Sequence, residues 1–167
     1  MSKEHRPDFI KQQGLSYLAH LLRRVSDELV AGVEIWSAGS GLQSPTRTRS
    51  TLMALSAHGT LSITEIAALI RQTHPAVITW ARHLSEAGMV VQERDANDGR
   101  RTLIRLTDQG EKEVERLRKA DNLIAAAYRD LMEEADADVF ESLWRIEEAC
   151  RRKSMQQRLA DAAHGGE

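Results

Sequence analysis

The run from Arg94 to Gly110, Arg-Asp-Ala-Asn-Asp-Gly-Arg-Arg-Thr-Leu-Ile-Arg-Leu-Thr-Asp-Gln-Gly, restricts the fold more than any other part of this chain. It predicts a β-hairpin with a basic tip that runs straight into a helix. Asn97-Asp98-Gly99 supplies the turn, because Asn and Gly tolerate the positive φ of tight hairpin turns. Met89-Val90-Val91 leads in and Leu103-Ile104-Arg105-Leu106 leads out, both rich in strand formers. Thr107 is placed to cap a new helix, with Asp108 and Glu111 near its positive end. Arg100 and Arg101 sit at the tip with nothing apolar around them. Such a tip suits the minor groove of DNA, whose negative potential attracts Arg. Taken alone, it suits an ordinary solvated hairpin equally well.

The preceding segment shifts that balance. Ser62-Ile63-Thr64-Glu65 has the capping-box pattern, so a short helix should run from Ile63 to about Arg71 and bury Ile66, Leu69 and Ile70. Gln72-Thr73-His74-Pro75 breaks it. Thr73 can cap the next helix, and Pro75 is tolerated in a first turn, where no amide donor is needed. That helix runs to about Ala87 and stops at Gly88. Two short helices, a tight turn and a hairpin make a winged helix-turn-helix. In the second helix Val77, Ala81 and Leu84 fall at i, i+4 and i+7 and mark the inner face. Ala76, Thr79, Arg82, His83 and Glu86 lie roughly opposite: small at the N-terminal end, polar in the middle, basic later, with Glu86 beyond a bound duplex. A helix entering a major groove needs small residues for close approach and donors for base edges and phosphates. Trp80, on the flank, reads as a packing residue.

At these residues the chain resembles a known family. Arg94-Asp95-x-x-Asp98-x-Arg100-Arg101, then Leu106-Thr107-x-x-Gly110, resembles the wing signature of the MarR family of bacterial transcriptional regulators. His74-Pro75-Ala76-Val77 and Leu84-x-x-x-Gly88-Met89-Val90 resemble that family's recognition helix and its exit into the wing. The resemblance covers about residues 45 to 115. It implies an obligate dimer with interlocked first and last helices, occupancy of pseudo-palindromic operators, repression, and release by a small, aromatic or lipophilic effector. Carried over by position, Arg94 and Asp98 would brace the wing, Asp98 by pairing with a neighbouring Arg. Arg100 would enter the minor groove beside Arg101. Thr73, His74, Ala76, Thr79, Arg82 and His83 would face the major groove. Gly99, where a larger residue is common, and the bulky Trp80 depart from the family pattern.

Composition permits this reading. The 167 residues, 41% of them apolar, can build one core, and the formal net charge of −2 gives no global basic signature. DNA binding needs only a local patch, and Arg71, His74, Arg82 and His83 fall in a run with no Asp or Glu. Acids gather at Glu133-Glu134-Ala135-Asp136-Ala137-Asp138. One Cys excludes an internal disulfide. Nothing resembles a signal peptide, and no apolar run approaches the roughly 18 residues of a membrane span, so the expected location is cytoplasmic.

The flanks read as long helices. Leu15, Leu18, Leu22, Val25, Leu29, Val33 and Trp36 recur at helical spacing. Ser37-Ala38-Gly39-Ser40-Gly41 then reads as a flexible link. A helix from about Thr46 to Ala57, stopping at Gly59, should support the helix-turn-helix. Val114, Leu117, Ile124, Tyr128 and Leu131 form a stripe interrupted by Asp121. Val139, Leu143, Ile146 and Cys150 form another, and His164 to Glu167 reads as frayed. The fold class is mainly α with a small β-hairpin wing. Residues 1–44 form a dimerisation helix and linker, 45–110 the winged domain, and 111–167 the C-terminal dimerisation helices. A small winged domain cannot bury every stripe, so a second copy is the simplest partner; an intrachain bundle is the alternative.

Little points to catalysis. No nucleophilic triad, phosphate loop or His pair at i, i+4 occurs, so no cofactor and no metal are expected. Cys150, followed by Arg151, Arg152 and Lys153, reads as a small buried interface residue rather than a redox sensor. Tyr17, His20, Arg24 and Trp36 offer apolar bodies with polar tips for an amphipathic effector, in a pocket between the dimerisation helices and the winged domain. Packing against the other subunit accounts for them equally well. Three functions compete: an operator-binding regulator, a winged-helix module for protein partners, and a small enzyme. Arg100, Arg101 and the small, polar recognition face favour the first over the second. No sequence feature supports the third.

Overall fold

A computed structural model describes residues 8–96, 98–99 and 101–164. Packing divides the chain into two units, one ending at Asp121 and one starting at Asn122.

In the first unit, the Asp8 carboxylate caps α1 (Phe9–Gln13) by accepting from the Ile10 and Lys11 amides. Gly14, at φ 73°, breaks that helix into a 3-10 turn, Gly14–Tyr17, before α2 (Leu18–Ser40) begins. The expected flexible link is instead the last turn of α2. Ser37 is buried there, donating to the Val33 carbonyl and accepting from Arg49 at 2.6 Å. These local bonds let the helix continue until Gly41 takes the left-handed conformation at φ 81°. A 3-10 turn, Thr46–Thr48, leads into α3 (Arg49–His58), which stops at Gly59.

Strand β1 (Leu61–Ser62) follows and was not expected, since two residues are too few to show an alternating pattern. Ser62 and Glu65 form the reciprocal capping box of α4 (Ile63–Leu69). Ile66 and Ala67 are buried, but Leu69 is 47% exposed, contrary to expectation. It is the last residue of α4, and the chain turns at Arg71, φ 52°, two positions on. Thr73 caps α5 (His74–Glu86) through the Ala76 amide. Strands β2 (Val90–Arg94) and β3 (Thr102–Leu106) pair antiparallel, and the sheet order is β1-β3-β2. The register runs from Val90↔Leu106 to Arg94↔Thr102, with Leu61↔Ile104 on the other edge. Gly99 is not at positive φ, so the described part of the tip does not use it as a left-handed turn residue. Asn97 lies outside the described residues.

Helix α6 (Asp108–Glu134) starts on Thr107, whose hydroxyl accepts from the Gly110 amide. Leu52, Leu55, Ile66, Val77, Ala81, Leu84, Met89, Val90, Ile104, Val114 and Leu117 form the core. Burying a large apolar side chain contributes about 1.5–3 kcal/mol. The helix-turn-helix and the wing are thus one packed body.

In the second unit, Asp138 caps α7 (Val139–Arg152) and Ser154 precedes α8 (Met155–His164), accepting from the Gln157 amide. Phe140 and Trp144 meet edge to face, and Lys153 pairs with Asp161. None of this unit's described residues is buried; Val139, Leu143 and Ile146 are all at least 40% exposed. Cys150, expected to be buried, is exposed in the single chain because nothing in its own unit covers that stripe. His164 is not frayed: it ends α8 and bonds the Ala160 carbonyl through Nδ1. Gly165 to Glu167 lie outside the described residues. No helix among the described residues is long and apolar enough to cross a membrane.

Candidate nucleic-acid interface

Helix α5 is set by its inner face. Val77, Ala81 and Leu84 are fully buried, which fixes the rotation of the helix and turns Thr79, Arg82, His83 and Glu86 outward. Gln92 of β2 donates to the Ala81 carbonyl at 3.3 Å, tying the helix to the wing. At the N-terminal end, Thr73 and His74 are exposed and Ala76 is half-buried. Thr79 donates to the Pro75 carbonyl at 3.0 Å, so its hydroxyl oxygen still has acceptor capacity. Arg82 stands 65% exposed, 4.0 Å from Glu86 one turn on. An ion pair that open is weak and leaves the guanidinium available. Trp80 is half-buried on the flank, as a packing residue should be.

In the wing, Arg101 is held differently from expectation. Arg100, assigned to the minor groove, lies outside the described residues. Arg94 is exposed at the last rung of the hairpin, and the Asp98 carbonyl accepts from the Arg101 amide at 2.8 Å. Arg101 itself reaches back to the domain. Its guanidinium lies 3.1 Å from Glu65, 3.8 Å from Asp95 and 3.4 Å from the Ser62 hydroxyl. Glu65 is shared: one oxygen takes the Ser62 hydroxyl and amide, and the other faces Arg101. The Ser62 hydroxyl and amide, and then Arg101, hold the Glu65 carboxyl below its ordinary range. On the outer strand pair, Arg105 binds Glu93 at 2.9 Å.

Glu113, to which the sequence gives no role, and Gly110, the last position of the wing signature, secure the frame. The buried Glu113 carboxylate accepts from the Gln43 amide, the Ser44 amide and the Ser44 hydroxyl through one oxygen, at 2.7–2.8 Å. Its other oxygen takes Arg116 at 2.7 Å. Burial raises its pKa, but the Ser44, Gln43 and Arg116 hydrogen bonds together outweigh burial and leave it lowered. A carboxylate one position before Val114 in an apolar stripe is the only sequence signal of this clamp. Gly110 is buried beneath the Met89 carbonyl, where a Cβ would overlap that oxygen.

The expected effector residues do not come together. Tyr17 and Arg24 border a groove of about 450 Å³ lined also by Ile10, Leu15, Leu18 and Leu21. His20 and Trp36 are not among its lining residues. The groove is built from the first helical turns alone, not between the dimerisation helices and the winged domain. Arg24 pairs with Asp8 at 2.8 Å, and that bond first, then the Lys11 and Ile10 amides, holds the Asp8 carboxyl low. No group of three or more potential metal ligands occurs among the described residues.

A helix pair carrying an outward polar face, followed by a braced hairpin, is the arrangement of a winged DNA reader. Residues 41–101 match the sequence profile of the MarR family. That segment is similar in sequence to the winged helix-turn-helix of MarR-family regulators. Solved structures agree in fold. The chain is similar to MepR of S. aureus, solved as a DNA complex, at 24% identity and TM-score 0.63, covering 78% of this chain and 96% of that one. It is similar to CouR, a transcriptional repressor bound to a 23-mer DNA duplex, at 21% and 0.65, covering 84% and 97%. It also resembles BpsR of Bordetella bronchiseptica, whose DNA binding is regulated by 6-hydroxynicotinic acid, at 22% and 0.54, covering 66% and 82%. No curated protein matches the chain.

Proposed function

We propose that this chain is a sequence-specific, double-stranded DNA-binding transcriptional regulator that acts as a homodimer, represses by occupying a pseudo-palindromic operator, and is released by a small aromatic or lipophilic effector. The observation that carries the reading is the outward face of α5, with Thr73, His74, Ala76, Thr79, Arg82 and His83 presented on a helix whose rotation is fixed by its buried stripe. Arg100 is assigned to the minor groove by its place in the wing signature. The exposed stripes on α2 and α7 support pairing of residues 1–44 and 111–167 with those of a second copy. A dimer would set two recognition helices roughly 34 Å apart, one turn of duplex. The relatives solved with DNA, and the one whose DNA binding a small molecule regulates, support operator binding and effector control. The reading gives the chain no catalytic role and a cytoplasmic place of action.

The test is a mobility shift on the DNA upstream of its own gene. Wild type should bind with an affinity that falls steeply as salt rises, because phosphate contacts release counterions. Arg82→Ala and Thr79→Ala should change sequence preference, at about 1–3 kcal/mol for each good bidentate pairing with a base edge that the substitution removes. Arg100→Ala should weaken binding to all sequences alike. A stable monomer of 18.7 kDa by sedimentation, or no protein–DNA complex at moderate salt, would defeat the proposal.

Effector control has its own measurement. Small aromatic acids and phenols are screened by thermal shift, with Arg24→Ala and Tyr17→Ala as controls. A ligand that raises the melting temperature should also weaken operator binding about 5- to 150-fold, as a coupling of 1–3 kcal/mol requires. Stabilisation without loss of DNA affinity would refute the coupling, and loss of affinity unaffected by either control would move the site elsewhere.

A further inference from the structure

We propose that Arg101 is a positioning residue that straps the wing to the first helix of the helix-turn-helix, rather than a contact to DNA; this rests on the DNA-binding reading above. The sheet edge explains why a strap is needed. Strand β1 offers only two register positions to β3, Leu61↔Ile104 and Ser62↔Leu103. Beyond Ser62 the chain turns into α4, so the hairpin continues toward its tip with that edge unpaired. Arg101 lies on the tip side of the last rung, next to Thr102, and sends its guanidinium back across the gap to Glu65, 3.1 Å away. Its backbone closes the loop from the other side: its carbonyl accepts from the Asp95 amide at 3.0 Å, and its amide donates to the Asp98 carbonyl.

The local charge argues against a phosphate contact. One guanidinium faces two carboxylates, Glu65 and Asp95, and a hydroxyl that is itself bonded to Glu65. A phosphate would have to displace carboxylate partners already in place, and those carboxylates would repel it. The same Glu65 that caps α4 thereby sets the angle between α4 and the wing. A change in that angle moves the wing tip relative to α5, and both must meet the same duplex.

The experiment uses the full-length chain with Arg101→Gln, Glu65→Gln and the double variant. Gln at position 65 preserves the reach back to the Ser62 amide that a capping box requires, so this variant removes the charge and keeps the cap. Amide exchange of Val90–Arg94 and Thr102–Leu106 reports on the wing without DNA. Binding is measured on a short random-sequence duplex and on the region upstream of the gene, each over a range of salt. Each single variant should speed wing exchange and weaken duplex binding by roughly two- to five-fold, as expected for a partly exposed pair. The double variant should be no worse than either single. The slope of log affinity against log salt should stay at its wild-type value. If Arg101→Gln instead lowers that slope by about 0.9, one phosphate contact, and Glu65→Gln tightens binding, Arg101 is a DNA ligand and the strap is wrong. Unchanged wing exchange in both singles also overturns it. If wild type binds neither duplex, the DNA-binding reading fails, and the exchange data alone decide the strap. If Arg101→Gln does not fold, Glu65→Gln still decides it, since loss of a surface carboxylate weakens DNA binding only through the wing.

Discussion

Glu113→Ala should remove roughly 3–5 kcal/mol of folding stability, the range for stripping one partner from a buried charge network. The carboxylate is fully buried and satisfies the amides of Gln43 and Ser44, the Ser44 hydroxyl and Arg116. Alanine leaves those buried donors without their acceptor. It also frees the chain between α2 and α3 from α6. Glu113→Gln keeps an acceptor and should lose less, about 1.5–3 kcal/mol, as hydrogen bonds to a charged group become neutral ones. The clamp also makes stability depend on pH. The folded-state carboxyl titrates below its ordinary value, so folding favours the ionised form. Its contribution is complete above the ordinary glutamate range, near about 4.3, and is lost as pH falls from there through the folded-state value. Urea unfolding of wild type and Glu113→Gln at neutral pH and at descending acid pH measures both effects. The two curves should converge in acid. A neutral-pH loss below about 1 kcal/mol for Glu113→Ala would show that the loop is held by other contacts.

Gly110→Ala should cost about 1–3 kcal/mol, toward the upper end, because the added methyl meets backbone and not a side chain that can rotate away. The Cβ would overlap the Met89 carbonyl and crowd Leu106. That carbonyl also accepts from the Thr107 amide at 3.0 Å, and the Thr107 hydroxyl donates to the Gly88 carbonyl at 2.7 Å. Relief requires α6 to back away from the start of β2, which strains both bonds and shifts the base of the wing. DNA affinity should therefore fall together with stability. Gly39→Ala is the matched control. Its Cβ would meet nothing in the chain, and a helix gains about 0.5–1 kcal/mol from such a change. Equal melting temperatures for the Gly110→Ala variant and wild type would sink the packing argument.

The elements that were legible in the sequence share one property: their determinants lie within a few residues of each other. Ser62 and Glu65 form the capping box their spacing announces. Thr73 and Thr107 cap the helices they precede, and Gly88 stops α5 at φ 68°. Val77, Ala81 and Leu84 occupy the inner face that a 3.6-residue period assigns them. Such signals act through backbone bonds one turn long, so a linear reading captures them.

The errors have equally physical sources. Leu69 has the right spacing from Ile66 but lies where a seven-residue helix has no neighbour to cover it. Ser37 to Ser40 look like a linker by composition, yet a buried serine bonded to Val33 and Arg49 keeps the helix going. Strand β1 is too short to carry a period, and only its pairing with β3 makes it a strand.

The local rules written into the chain decided the helix-turn-helix, its caps, its inward and outward faces, and the hairpin that follows, since each depends on periodicity or on a side chain reaching its own backbone. Tertiary structure alone decided what Arg101 and Glu113 do. Glu113 reaches Ser44 across 69 residues, and Arg101 reaches Ser62 across 39. A charged residue in a sequence announces a charge but not its partner; whether an arginine at a wing tip faces a phosphate or a carboxylate is set by which backbone the fold carries past it.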